Sequence, residues 1–358
     1  MSLALLMYEQ AGEKEDRAHQ AMALTYQGIA YNVLGNHFAA HESYTQMLDL
    51  YEQLGDRRGV AGACNNLGAL YHEQGDQLAA IGWYGKSIAA FEELRDDKGR
   101  AAAYNNISGI YNEMGDTARA FDYAYKCLAL HQASGDKRSA ANTVGNIGLI
   151  HLEKGSPRKA LELLHRSLSM KRANSDAASE AKTAQDLGEA HRRLGSLDSA
   201  ELWLRNSLAI QEGMKDEGGQ ASTFVTWGFV DLDRKDPSGA KELCGKALAI
   251  ARDLRTRSLE RNACDCLYKA AKALGDDRSA LVHFERFTAL TDSLHAEDVR
   301  RGLERIEFNR SVMADSLRLA EAKAMAYVHK DNSRRTPWFI GGGLVIVIAA
   351  FAARRRRK

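Results

Sequence analysis

The stretch AGACNNLGALYHEQGDQLAAIGWY, residues 61–84, decides the fold. Its apolar positions Cys64, Leu67, Gly68 and Tyr71 fall at i, i+3, i+4 and i+7, one stripe of an amphipathic helix. Gly75 ends that helix, because glycine takes the left-handed conformation at no steric cost. Asp76 is then the N-cap of a second helix, from Gln77 to about Leu94, with Ala80, Tyr84, Ile88 and Phe91 on its apolar face. The unit is a helix–turn–helix whose buried stripe needs a neighbour.

Working outward, every mark of this unit recurs at forty residues. Alanine stands at Ala40, Ala80, Ala120, Ala160, Ala200, Ala240 and Ala280. Glycine stands at Gly35, Gly75, Gly115, Gly155, Gly195 and Gly275, with Lys235 breaking the series. A second glycine series runs Gly28, Gly68, Gly148, Gly188 and Gly228, with Ser108 and Tyr268 as substitutes. The residue after the turn glycine is Asn36, Asp76, Asp116, Ser156, Ser196, Asp236 or Asp276, a helix N-cap in each case. Pro157 and Pro237 follow at the first helical position, where a missing N–H costs nothing. The alanine lies where the second helix crosses the first too closely for a larger side chain. A polar break at Asp56, Asp96, Asp136, Asp176 and Asp216 closes each second helix. Each helix pair cannot bury its own face, so stacking supplies the core of an all-α solenoid.

The Leu67-Gly68-x-x-Tyr71 motif with Gly75, Ala80 and Tyr84 resembles the tetratricopeptide repeat signature. The resemblance covers about residues 21–290, seven repeats. The period is forty rather than thirty-four, so the second helix is expected to be the longer, as in the long-repeat subfamily of kinesin light chains and peptide-sensing bacterial regulators. That family implies a right-handed superhelix whose concave face, lined by first helices, binds peptides or helices.

Bulk properties limit the function classes. Net charge is +2 over 358 residues, without the electrostatic footprint of a nucleic-acid binder outside the cationic run Arg354 to Lys358. The five cysteines, Cys64, Cys127, Cys244, Cys264 and Cys266, match no zinc or redox spacing and are read as small core residues. His37 and His41 share a helix face but lack a third ligand or a glutamate base, and no metal or cofactor is assigned. His151 and His191 occupy the repeat position of Tyr31, Tyr71 and Tyr111 and are read as structural. No catalytic constellation is present in the sequence.

The ends differ from the middle. Residues 1–20 form a partial repeat or cap helix: Tyr8-Glu9-Gln10-Ala11-Gly12 echoes Tyr51-Glu52-Gln53-Leu54-Gly55, and an array continuing upstream is the favoured reading. Met1 to Met7 lacks the cationic start and cleavage site of a signal peptide. Residues 291–332 are a long charged helix. There Val299, Leu303, Ile306, Met313, Leu317, Ala320, Ala324 and Tyr327 follow a heptad-like seam, either a homodimeric coiled coil over 299–327 or one helix lying back on the last repeat. Residues 333–358 hold an uncharged run, Pro337 to Ala353, between Arg334-Arg335 and the basic tail. With Trp338 at its edge, that run is expected to be one transmembrane helix with the tail cytoplasmic. This order also resembles the sensor half of bacterial repeat-containing histidine kinases and nucleotide cyclases, whose output domain follows the basic run. No output activity carries over to these residues.

The candidate ligand residues are asparagines. Asn65-Asn66 and Asn105-Asn106 share a phase on successive first helices, with Asn142 and Asn146 near it in the next. A carboxamide both donates and accepts, matching the N–H and C=O of an extended peptide, and related peptide-binding repeats use asparagines this way. The alternatives are bonds within the helix stack or a solvated face. Further on, Arg192, Arg193, Lys269 and Lys272 give a charged face. The expected protein is a membrane-anchored binder of a peptide or protein, the input region of a bacterial receptor, with a tail-anchored cytosolic adaptor as the rival.

Overall fold

The structure, a computed structural model, describes residues 17–296, 300, 302, 303, 305–314, 318 and 325. The first unit, to Arg301, is all-helical in its described residues. Its helices are α1 (Arg17–Val33), α2 (His37–Leu54), α3 (Arg57–Glu73), α4 (Gln77–Glu93), α5 (Asp97–Glu113), α6 (Thr117–Ala133) and α7 (Lys137–Glu153). They continue as α8 (Pro157–Ala173), α9 (Ala177–Arg193), α10 (Leu197–Met214), α11 (Glu217–Asp233), α12 (Pro237–Asp253) and α13 (Arg257–Leu274). A last helix, α14, covers 277–296. Odd-numbered helices are the first helices of seven pairs; the first six each pack on their even-numbered partner and on the next pair, and α13 meets α14 through Glu260–Arg286 and Tyr268–Phe284.

The turns form as their residues dictate. Gly75 has φ +73°, its N–H donates to the His72 carbonyl at 2.8 Å, and the Asp76 N–H donates to Tyr71 at 2.8 Å. That is the double bond of a Schellman turn. The Asp76 carboxylate accepts from the Ala79 N–H, completing the N-cap. Lys235, the exception in the glycine series, takes the same left-handed conformation at φ +66°.

Two expectations are corrected here. The second helix is not the longer: α3 and α4 both have 17 residues. The forty-residue period is two equal halves, because a left-handed residue also closes each second helix. Gly55 and Gly135 hold that place at φ 69° and 70°, but Arg95, Ser175, Lys215 and Arg255 hold it elsewhere with φ between 52° and 57°, so no unbroken glycine series marks it in the sequence. Ser156 and Ser196 sit at N-cap positions but make no side-chain cap bond.

Side-chain size alternates across each pair. A Cβ on Gly28 or Gly68 would meet Tyr44 or Tyr84 of the partner helix, and one on Gly188 would meet Leu204. Where Ser108 replaces the glycine, the residue sixteen further on is small Ala124, and the Ser108 hydroxyl donates to the Ala120 carbonyl at 2.8 Å. Ala40, Ala80, Ala120, Ala160, Ala200 and Ala240 are fully buried, Ala280 nearly so. Ala120→Leu is therefore expected to overpack this crossing and cost roughly 1–3 kcal/mol. An unfolding midpoint unmoved by the substitution would contradict close packing at Ala120.

The cysteine reading holds for buried, free Cys64, Cys127 and Cys264, but Cys244 and Cys266 form a disulfide from α12 to α13. Twenty-two residues apart, they match no spacing motif; stacking of one pair on the next brings them together. A Cβ on Gly228 would meet both sulfurs, so this glycine leaves the room the bridge needs.

Described residues from Gly302 onward belong to a second unit and are helical. Leu303, Ile306 and Met313 of the heptad-like seam are exposed, while Val299, Leu317, Ala320, Ala324 and Tyr327 lie outside the described residues. Among the described residues no helix is long and apolar enough to cross a membrane. The expected span at 337–353 lies outside them.

Candidate ligand-binding surface

First helices of neighbouring pairs touch, α3 with α5, α7 with α9, α9 with α11 and α11 with α13. Their polar residues are stitched together at a constant offset of forty-one. Asn32 Nδ2 donates to Glu73 at 2.6 Å, His72 pairs with Glu113 at 2.9 Å, and Asn112 Nδ2 donates to Glu153 at 2.8 Å. Arg192 donates to Asp233 at 2.7 Å and Gln185 to Thr226 at 3.3 Å. Where Leu152 breaks the series, Arg193 reaches its carbonyl at 2.9 Å. The acids Glu73, Glu113, Glu153 and Asp233 recur at the repeat spacing, a signal present in the sequence that pointed to a row of residues and was missed.

Two notches open on this surface. The larger, about 440 Å3, is lined by Gly59, Gly62, Asn65 and Asn66 of α3, Gly99 and Ala102 of α5, and Met47, Tyr51 and Phe91 of second helices. The smaller, about 210 Å3, lies between α5 and α7, with Asn105, Ser108, Gly109 and Asn112 on one side, Thr143, Asn146 and Glu153 on the other and Ala124 below. Each contains one buried carboxamide oxygen without a hydrogen-bond partner, Asn65 Oδ1 in the first and Asn112 Oδ1 in the second. Native proteins leave few such atoms unpaired, because an unmade bond costs about 1–3 kcal/mol.

The six asparagines named from sequence divide three ways. Asn65 and Asn66 line the larger notch, and Asn105 and Asn146 line the smaller and bond each other at 3.3 Å. Asn106 turns inward and hydrogen-bonds Tyr84, whose hydroxyl is pushed up to about 12, chiefly by burial. Asn142 is exposed and lines neither notch. Asn112, absent from the sequence-based set, carries the open valence of the smaller notch, as Asn65 does of the larger.

The charged half is internally compensated. Arg192 pairs with Glu189 and Asp233, Arg193 with Glu189, and Lys269 with Asp265 while lying over the Phe229 ring. The histidines make ordinary packing contacts. His37 meets Asn32, His41 meets Tyr71, and His151 lies against Phe121, with burial holding the His151 imidazole below its usual range. Among the described residues no group of three His, Cys, Asp or Glu side chains is placed to hold a metal.

Residues 60–96 and 99–173 match the tetratricopeptide repeat. Among solved structures, the fold is similar to the apo form of RapI, at 14% identity and TM-score 0.61 over 82% of this chain and 99% of that one. It is similar to a Rap protein complexed with competence and sporulation factor, at 14% identity and TM-score 0.57 over 79% and 76%. It is also similar to BtubC (BKLC) from P. vanneervenii, at 18% identity and TM-score 0.55 over 60% and 90%. No curated protein matches the chain. The chain carries tetratricopeptide repeats in an all-helical solenoid.

Proposed function

We propose that this tetratricopeptide-repeat chain is a membrane-tethered receptor that holds an extended peptide, or a peptide-like segment of a partner protein, across first helices α3, α5 and α7. One observation carries the reading: two notches along that face are each lined by an asparagine, Asn65 or Asn112, whose buried carboxamide oxygen has no hydrogen-bond partner. Those oxygens lack what the N–H groups of an extended chain supply. Rap proteins of similar fold have been solved in complex with competence and sporulation factor and with the Phr* peptide, which supports a peptide-binding use of the surface here.

The rest of the reading is positional. The uncharged run 337–353 between basic flanks is the tether, as in the sensor half of repeat-containing kinases and cyclases. The heptad-like stretch 299–327 pairs two chains, for which the exposed Leu303, Ile306 and Met313 supply apolar surface. Ligand capture alters that pairing and so reaches the tail. The buried Cys244–Cys266 bridge supports an oxidising compartment for the repeats, and hence the receptor over the cytosolic adaptor.

The test is selection from a random heptapeptide library on the full chain in detergent, followed by titration of the selected peptide. Asn65→Leu removes an unpaired buried acceptor at similar volume, so it should stabilise the free protein by about 1 kcal/mol. It should also weaken the peptide about tenfold, by removing an acceptor that the ligand engages. Stability and affinity thus move in opposite senses. A ligand whose affinity ignores the substitution does not use this face.

A further inference from the structure

We propose that the notch between α5 and α7 is a specificity pocket for a lysine or arginine side chain of the bound segment, an inference that rests on the peptide-binding reading. Glu153 is a carboxylate and only accepts, so the Asn112 amide must present its nitrogen to it, as the 2.8 Å bond shows. That fixes Asn112 Oδ1 on the opposite side, where it is buried and unpartnered. The hydroxyl protons are also committed: Ser108 donates to the Ala120 carbonyl at 2.8 Å and Thr143 to the Ser139 carbonyl at 2.9 Å. Neither hydroxyl has a proton left to offer the notch that both line, and the Thr143 oxygen also lies 3.6 Å from Cys127 Sγ. Asn146 Nδ2 donates to Asn105 Oδ1 at 3.3 Å, which leaves the exposed Asn105 amide nitrogen and Asn146 carbonyl oxygen to solvent or ligand. The buried acceptor in want of a donor here is Asn112 Oδ1, with Glu153 beside it and Ala124 and Leu149 to enclose an aliphatic stem.

Charge selects the donor. Among the described residues the partner of Glu153 is the neutral Asn112, so its full negative charge stays at the rim. Glu73, bonded to Asn32, repeats the arrangement two repeats earlier and adds to the potential along this face. The later half is the internal contrast, since Asp233 and Glu189 are already neutralised by Arg192 and Arg193. A guest that carries only donors, a positive charge and an apolar stem is a lysine or arginine side chain.

The experiment uses heptapeptides selected on the full chain, each resynthesised with its cationic residue replaced by norleucine. The expected result is a loss of at least tenfold in affinity on wild type. In Glu153→Gln, which keeps a bond to Asn112, the loss should shrink below twofold. It should remain tenfold in Glu153→Asp, which keeps the charge, and in Asp233→Asn, which alters an already neutralised acid. Peptides that bind without a common cation, or a norleucine loss unchanged in Glu153→Gln, overturn the pocket and leave the peptide reading standing. If no peptide is selected at all, the peptide reading fails and the pocket falls with it.

Discussion

Cys266→Ala is expected to lower the unfolding free energy by about 3 kcal/mol, and a reducing agent should do the same to wild type. The bridge closes a loop between positions 22 apart, and closing a loop of that size in the unfolded chain is worth about 3 kcal/mol in the chain-entropy treatment. The loss should be local. Each helix pair touches only its neighbours, so stability is close to a sum of repeat and interface contributions. Hydrogen exchange should accelerate in α12 and α13 and stay unchanged in α3 to α5. Cys264→Ala is the control, a buried thiol two residues away that belongs to no bridge. It should lose only a small cavity's worth, and treatment with dithiothreitol should still destabilise it. Melts of wild type that are identical with and without reductant would remove the bridge from the account. Thiol trapping in source cells carries the same question to location. Maleimide labelling after denaturation that finds Cys244 and Cys266 protected until reduction keeps the repeats in an oxidising space; two free thiols there would make the cytosolic adaptor the reading.

How far the sequence reached depends on the range of each interaction. The forty-residue period, the glycine turns and most caps are local chemistry, and they were legible: Gly75, Asp76 and Ala80 each have one job that one residue type does best. The equal helix lengths were not legible, because Arg95 and Lys215 adopt a conformation normally advertised by glycine. The asparagine pairs show a second limit. Consecutive residues on a helix point about 100° apart, so Asn105 faces the notch while Asn106 turns to Tyr84, and spacing alone cannot choose between them. The forty-one-residue stitching was written in the sequence as paired series, Asn32 with Glu73 and Asn112 with Glu153. Its meaning needs the stacking angle between repeats. The disulfide lies furthest out of reach, since it joins helices of adjacent repeats.

A second large effect should appear at Asp231, where the chain departs from its own pattern. The equivalent residues in earlier repeats are Tyr31, Tyr71, Tyr111, His151 and His191, none of them an acid. Asp231 is nearly buried at the end of α11, and a Cβ on Gly239 would meet both its carboxylate and that of Asp236. Burial first, and Asp236 second, push its carboxyl up to about 6, with Glu201 adding and Arg234 opposing. In the unfolded chain the ordinary value is 3.8. The folded state thus holds this proton more tightly, and its advantage is fully present below about pH 4. It declines as pH rises to about 6 and is gone above that. Moving a carboxyl over that interval is worth about 3 kcal/mol. Asp231→Asn supplies a neutral group of the same shape, as the protonated acid is. The variant should therefore exceed wild type by about 3 kcal/mol in urea unfolding at pH 7.5 and match it at pH 4. Equal midpoints at pH 7.5 would show that Asp231 ionises without penalty, through water or movement of Arg234. A gain of the same size at both pH values would assign the benefit to packing and not to charge.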